Sequence, residues 1–147
     1  MKDLVQTIVV EREPGAVFAL ISDPDTYPEF FTGLTKWRLL SDRTGLGARY
    51  RVLMKVGSIE AGGIVQVTYW REPEAIRWRW ETGIRQEGAW ELREVPSGTE
   101  VELRVGFDLS GGPVGRLVEQ VAGRTVARNM RVSLLALRRM LDEHFAG

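Results

Sequence analysis

The sequence predicts an α+β fold in which a curved antiparallel sheet is covered by one long C-terminal helix. Two patterns carry this. From Ile76 to Glu81 (IRWRWE), apolar and charged residues alternate without a break, and the segments Gln86–Glu94 and Val101–Leu109 do the same. A period of two puts one face in the core and the other in water. In the last third the period changes: Val126, Met130, Leu134, Leu137, Leu141 and Phe145 recur at spacings of three or four, the signature of an amphipathic helix. Such a helix, spanning roughly 50 Å at about 1.5 Å per residue, needs a surface to cover, and the dry sheet face is that surface.

The elements follow in order. Leu4–Glu11 mixes β-branched residues with alternation and reads as a strand. Pro14 opens a short helix that ends at Asp23-Pro24, and Tyr27-Pro28-Glu29-Phe30-Phe31 forms a further short helical turn. Trp37–Leu40 and Ala48–Val56 are strands separated by the turn signal Asp42-Arg43-Thr44-Gly45. Gly57–Gly63 reads as a loose glycine-rich loop, and Ile64–Trp70 as a strand closed by the turn at Glu72-Pro73-Glu74. With the three alternating segments this gives about seven strands. The long helix is expected from Pro113, at its first position, to about His144, with Gly123 as the place for a bend. Nothing divides the chain, so residues 1–147 are read as a single domain.

Charge pairing suggests registers. A turn at Ser97-Gly98 sets Arg93 against Glu102 and Trp90 against Val105, whereas a shift of two sets Glu91 against Glu102. A loop at Thr82-Gly83-Ile84 sets Arg79 against Glu87.

Composition narrows function. Twenty basic and 20 acidic residues cancel, so no basic surplus points to nucleic acid or an anionic membrane. There is no cysteine, hence no thiolate chemistry or disulfide. The N-terminus is too charged and too short for a signal peptide, and no apolar run is long enough to span a membrane; a cytoplasmic protein without stable membrane insertion is expected. The one histidine, His144, sits beside the C-terminus, with no metal or triad partner in view, and neither a phosphate loop nor a metalloprotease motif is present. No catalytic residue, metal ligand or cofactor is assigned, and the oligomeric state is open.

The order of elements and several local marks resemble the START-like (SRPBCC) superfamily and its helix-grip fold. These marks are Pro14-x-x-Val17, Ser22-Asp23, Tyr27-Pro28-Glu29-Phe30, Gly45-x-Gly47, Trp90-Glu91-Leu92, Gly98-Thr99-Glu100-Val101 and the closing helix. The Tyr27–Phe30 stretch is most similar to the branch of polyketide cyclases/dehydrases and coenzyme-Q-binding proteins. That branch usually continues with proline, tryptophan and cysteine, where this chain has Phe31-Thr32-Gly33-Leu34. The resemblance implies an apolar cavity between sheet and helix that takes a small lipid-, quinone- or polyketide-like ligand.

Parity and helical spacing name the candidate ligand-binding residues. Tyr50, Met54, Trp78, Trp80, Trp90 and Phe107 share the dry face, with Trp37 and Tyr69 as further candidates, and Met130 faces them from the helix. Ordinary core packing is the competing explanation. Gln86, Asn129 and Ser133 are polar residues in inward or near-inward positions, either satisfied locally or serving as polar handles. A cavity of at least roughly 300 Å³ is expected, touching Trp90 and Asn129 or Ser133, with entry near Gly57–Gly63. Binding or carrying of a small apolar ligand is the first functional expectation. A cyclase- or dehydratase-like enzyme in the same cavity, or a cochaperone-like partner-binding module, are the alternatives.

Overall fold

The computed structural model describes residues 2–56, 59–108 and 115–144. It contains β1 (Lys2–Val10), α1 (Pro14–Ile21), a 3-10 turn (Pro24–Thr26), α2 (Tyr27–Phe30) and β2 (Leu34–Leu39). There follow β3 (Arg49–Val56), β4 (Ile59–Arg71), β5 (Ala75–Trp80), β6 (Arg85–Val95), β7 (Gly98–Asp108) and α3 (Gly115–His144). The seven strands make one sheet in the order β1-β7-β6-β5-β4-β3-β2, antiparallel throughout. The first and second strands are therefore its two edges, and only the β1–β7 pairing joins distant parts of the chain.

Helix α3 is unbroken through Gly123. The expected start at Pro113 and the final apolar position, Phe145, lie outside the described residues, as does the side chain of His144. The second half of α3 is bolted to the sheet: Leu134, Leu137 and Leu141 are fully buried, each worth about 1.5–3 kcal/mol, and the helix packs chiefly on β1. Its middle presents smaller residues, including buried Ala122. Close packing at one end and small side chains at the centre leave space under the middle of the helix.

Three expectations need correction. The β6–β7 hairpin turns at Pro96-Ser97, so Val95 faces Gly98, Trp90 faces Leu103, Arg93 faces Glu100 and Glu91 faces Glu102. Turn chemistry overrides charge pairing here. Among the described residues only glycines have positive φ, so Pro96 and Ser97 both have negative φ, and proline suits the second position of such a turn with glycine at the fourth. Exposed charge pairs are worth only tenths of a kcal/mol, and the facing glutamates are each offset by an arginine: Arg77 lies 3.6 Å from Glu91 and Arg104 3.6 Å from Glu102. At the β5–β6 loop, Arg79 faces Glu87 as expected.

The stretch 59–63 is strand, not loop. Ile59 to Gly63 pair with Val56 to Val52, and Gly57 and Ser58 lie outside the described residues. Gly63 is needed where it stands, because a Cβ there would fall 2.2 Å from the Thr82 carbonyl and 2.7 Å from the Trp80 ring.

Tyr69 does not share the inner face. The β4–β5 register shifts between Val67 and Tyr69, and the extra residue of this bulge reverses side-chain parity. Trp70 points inward instead, edge-on to Phe18 at 5.3 Å, while Tyr69 lies beneath the Arg77 guanidinium, 4.7 Å from its ring centre.

Candidate functional site

Between the inner sheet face and the middle of α3 lies a cavity of about 130 Å³. It is smaller than the expected 300 Å³, because the aromatic side chains that line it also fill much of the space. Of the ten residues singled out from the sequence, Tyr50, Met54, Trp78, Trp80, Gln86, Phe107, Asn129 and Met130 line it, whereas Trp90 and Ser133 do not. Trp37, Trp70, Val126 and Ala122 complete much of the wall.

Trp90 belongs to the solid core. It is fully buried, with the rings of Phe30 and Phe31 each 6.2 Å away. The two phenylalanines come from α2 and its C-terminal cap, so this cluster fastens the short helix to β6. The Trp90 indole N–H has no hydrogen-bond partner among the described residues. Ser133 is satisfied locally: its hydroxyl donates to the Asn129 carbonyl at 2.7 Å and accepts from the Thr32 N–H at 2.8 Å. It thereby ties the chain after α2 to α3 and commits its one O–H donor away from the cavity.

The remaining indoles are held back as walls rather than plugs. Trp78 lies against Gly88, directly across the β5–β6 ladder, where an added Cβ would sit 2.1 Å from Cζ2 of the ring. Its N–H donates to Gln86 Oε1 at 3.2 Å. Trp80 rests against Gly63 and Gly83 in the same manner. Trp37 stacks on Tyr50, ring centres 4.1 Å apart and planes 12° from parallel; its indole N–H is buried and has no partner among the described residues. Gly63 and Gly88 have no side chain and therefore no periodicity; their role is visible only once the ladder fixes which residue faces which indole.

Polar groups in the wall are few and neutral. The Tyr50 hydroxyl and the Asn129 carboxamide have no hydrogen-bond partner among the described residues, and the Gln86 amide nitrogen retains both of its N–H donors. Tyr27 donates its hydroxyl to the Ile21 carbonyl. Burial pushes its pKa well above the ordinary tyrosine value, and burial, with Asp25 nearby, raises that of Tyr50. Both phenols are therefore neutral at physiological pH. No Asp, Glu, Lys, Arg or His is among the described lining residues; Glu60, on the neighbouring stretch of β4, is exposed and faces Lys55 across the ladder. Among the described residues no group of three or more His, Cys, Asp or Glu side chains is placed to hold a metal ion, and no helix is long and apolar enough to cross a membrane.

Residues 1–142 match the family model described as polyketide cyclase/dehydrase and lipid transport. No curated protein matches the chain. Among solved structures, a protein from Thermus thermophilus superposes with a TM-score of 0.86 at 17% identity, covering 99% of this chain and 100% of its own. The Zhui aromatase/cyclase from a Streptomyces species gives 0.80 at 17% identity, covering 96% and 93%. A START superfamily protein from Mycobacterium smegmatis gives 0.75 at 17% identity, covering 96% and 97%. At these identities the likeness is one of fold: the helix-grip arrangement of curved sheet and long C-terminal helix.

Proposed function

Because the chain belongs to the polyketide cyclase/dehydrase and lipid transport family, we propose that it binds and carries a small apolar ligand in the cavity between the sheet and the middle of α3. The observation that carries this reading is the wall itself. Four indoles and the Tyr50 ring surround unfilled space, and two of the indoles are held out of that space by glycines. A side-chain array serving only as core would close over the gap, since interiors pack to near crystalline density. Apolar lining with a few orienting polar groups is what a small-molecule site requires.

A cyclase- or dehydratase-like activity in the same cavity is the second reading, favoured by the Tyr50 phenol. A neutral O–H in a dry site can donate to an oxygen that gains charge during reaction. Carriage ranks first because general acid–base work needs a titratable group poised near the working pH, and none of the described lining residues supplies one.

Native mass spectrometry of protein purified without detergent tests the reading, together with titration of an apolar fluorescent probe into wild type and Met130→Trp. A retained small molecule, or probe binding that the tryptophan abolishes, is the expected result. An empty protein that binds no probe would remove the carrier reading and favour the partner-binding alternative.

A further inference from the structure

We propose that the ligand is an uncharged, planar, single-ring compound bearing a hydrogen-bond-accepting oxygen, and not an acyl chain or an anion. This rests on the reading of the cavity as a binding site and specifies what that site selects. Size comes first. The cavity measures about 130 Å³, close to the roughly 150 Å³ in which benzene binds in an engineered apolar cavity, and well below the roughly 300–1,000 Å³ of sites for drug-sized molecules. One ring fits; an extended chain does not.

Shape comes second. The Trp37–Tyr50 stack presents two nearly parallel rings, and Trp78 and Trp80 lie back against glycines on neighbouring strands. Walls built from aromatic planes favour a planar guest through offset-stacked and edge-to-face contacts.

Polarity comes third. Tyr50, Gln86 and Asn129 all reach the cavity, and each has an N–H or O–H to donate that no described residue takes up. A carbonyl or ether oxygen on the guest accepts from such groups. No described lining residue bears a charge, so a carboxylate or phosphate would be desolvated without a counter-charge, which is strongly unfavourable. Both phenols stay protonated, so neither presents a negative charge to a cation.

The experiment compares three probes by ligand-observed NMR at neutral pH: acetophenone, benzoate and decanol. Acetophenone and benzoate share a ring and differ in charge; decanol is neutral but a chain. Acetophenone is expected to bind about tenfold or more tightly than either of the others, and Asn129→Leu to weaken it while the urea midpoint stays near wild type. Benzoate binding as well as acetophenone would overturn the requirement for neutrality. Decanol binding in preference to acetophenone would overturn the ring while leaving the cavity as a binding site. If none of the three binds, the carrier reading fails with the proposal.

Discussion

The Trp78 indole occupies the place where a side chain of its ladder partner Gly88 would be, 2.1 Å from the position of a Cβ at that residue. Neither residue alone explains the cavity. Indole without glycine would swing inward and fill it, and glycine without indole would leave a weak point in β6. Gly88→Ala is therefore expected to displace the indole, break its 3.2 Å hydrogen bond to Gln86 and close the cavity. Overpacking of this kind costs about 1–3 kcal/mol. Urea denaturation reads the stability loss, and an apolar-probe titration reads the expected loss of binding. Unchanged affinity would show that the glycine does not hold the cavity open.

Trp90 predicts the opposite balance. It is fully buried away from the cavity, so Trp90→Ala should remove about 3–5 kcal/mol of stability. In Trp90→Phe, which keeps an aromatic ring among Phe30 and Phe31, the affinity for an apolar probe should remain close to wild type. Guanidinium melts and probe titrations of the two variants separate packing from binding; a Trp90→Phe protein that is stable yet no longer binds would place Trp90 in the site after all.

Ser133 bridges two elements through a single hydroxyl. Ser133→Ala leaves the Thr32 N–H without its 2.8 Å acceptor, a loss of about 1–3 kcal/mol. Hydrogen exchange at the Thr32 amide should quicken in the variant; unaltered exchange would mean that the bond does not anchor the segment after α2.

The phenols of Tyr27 and Tyr50 set an alkaline limit. Their pKa values are raised above the ordinary 10.0 by burial, with a further contribution at Tyr50 from Asp25. In the unfolded chain they lose protons near pH 10, while the folded protein keeps them. The folded state then binds more protons, so their contribution to stability is fully present below pH 10 and is lost as pH rises from 10 toward the folded-state values. Unfolding free energies from urea melts across this range should fall more steeply in wild type than in Tyr27→Phe, by up to about 1.4 kcal/mol per pH unit for the one proton removed. Equal slopes would show that Tyr27 titrates normally.

The fold was largely legible because alternation and helical spacing are long-range signals. The runs at Ile76–Glu81 and Val101–Asp108, and the leucines of α3, each repeat a period several times over. Most of the cavity wall followed from the same parity, which put Tyr50, Trp78, Trp80 and Phe107 on one face. Local geometry stayed hidden. The bulge between Val67 and Tyr69 exchanges the roles of Tyr69 and Trp70, and no residue type marks it. The hairpin register depends on whether Pro96-Ser97 or Ser97-Gly98 forms the turn, a choice between adjacent dipeptides that charge pairing decided wrongly. Trp90 and Trp80 have the same parity, yet one is core and the other cavity wall. The difference arises from α2 and its C-terminal cap, where the rings of Phe30 and Phe31 pack on Trp90 and not on Trp80. Free volume belongs to the packed whole, and the alternation of individual strands does not report it.

The central claim is that the space under the middle of α3 takes a small apolar guest. Met54 and Met130 line that space, and Met140, half-buried, packs against the core outside it. Methyl-labelled methionine NMR, with toluene titrated into the protein, therefore reads the site directly. The Met54 and Met130 methyl signals should shift together and saturably, with a common dissociation constant, while the Met140 signal stays in place. Shifts at Met140 alone, or no saturable shift at Met54 and Met130, would contradict the account.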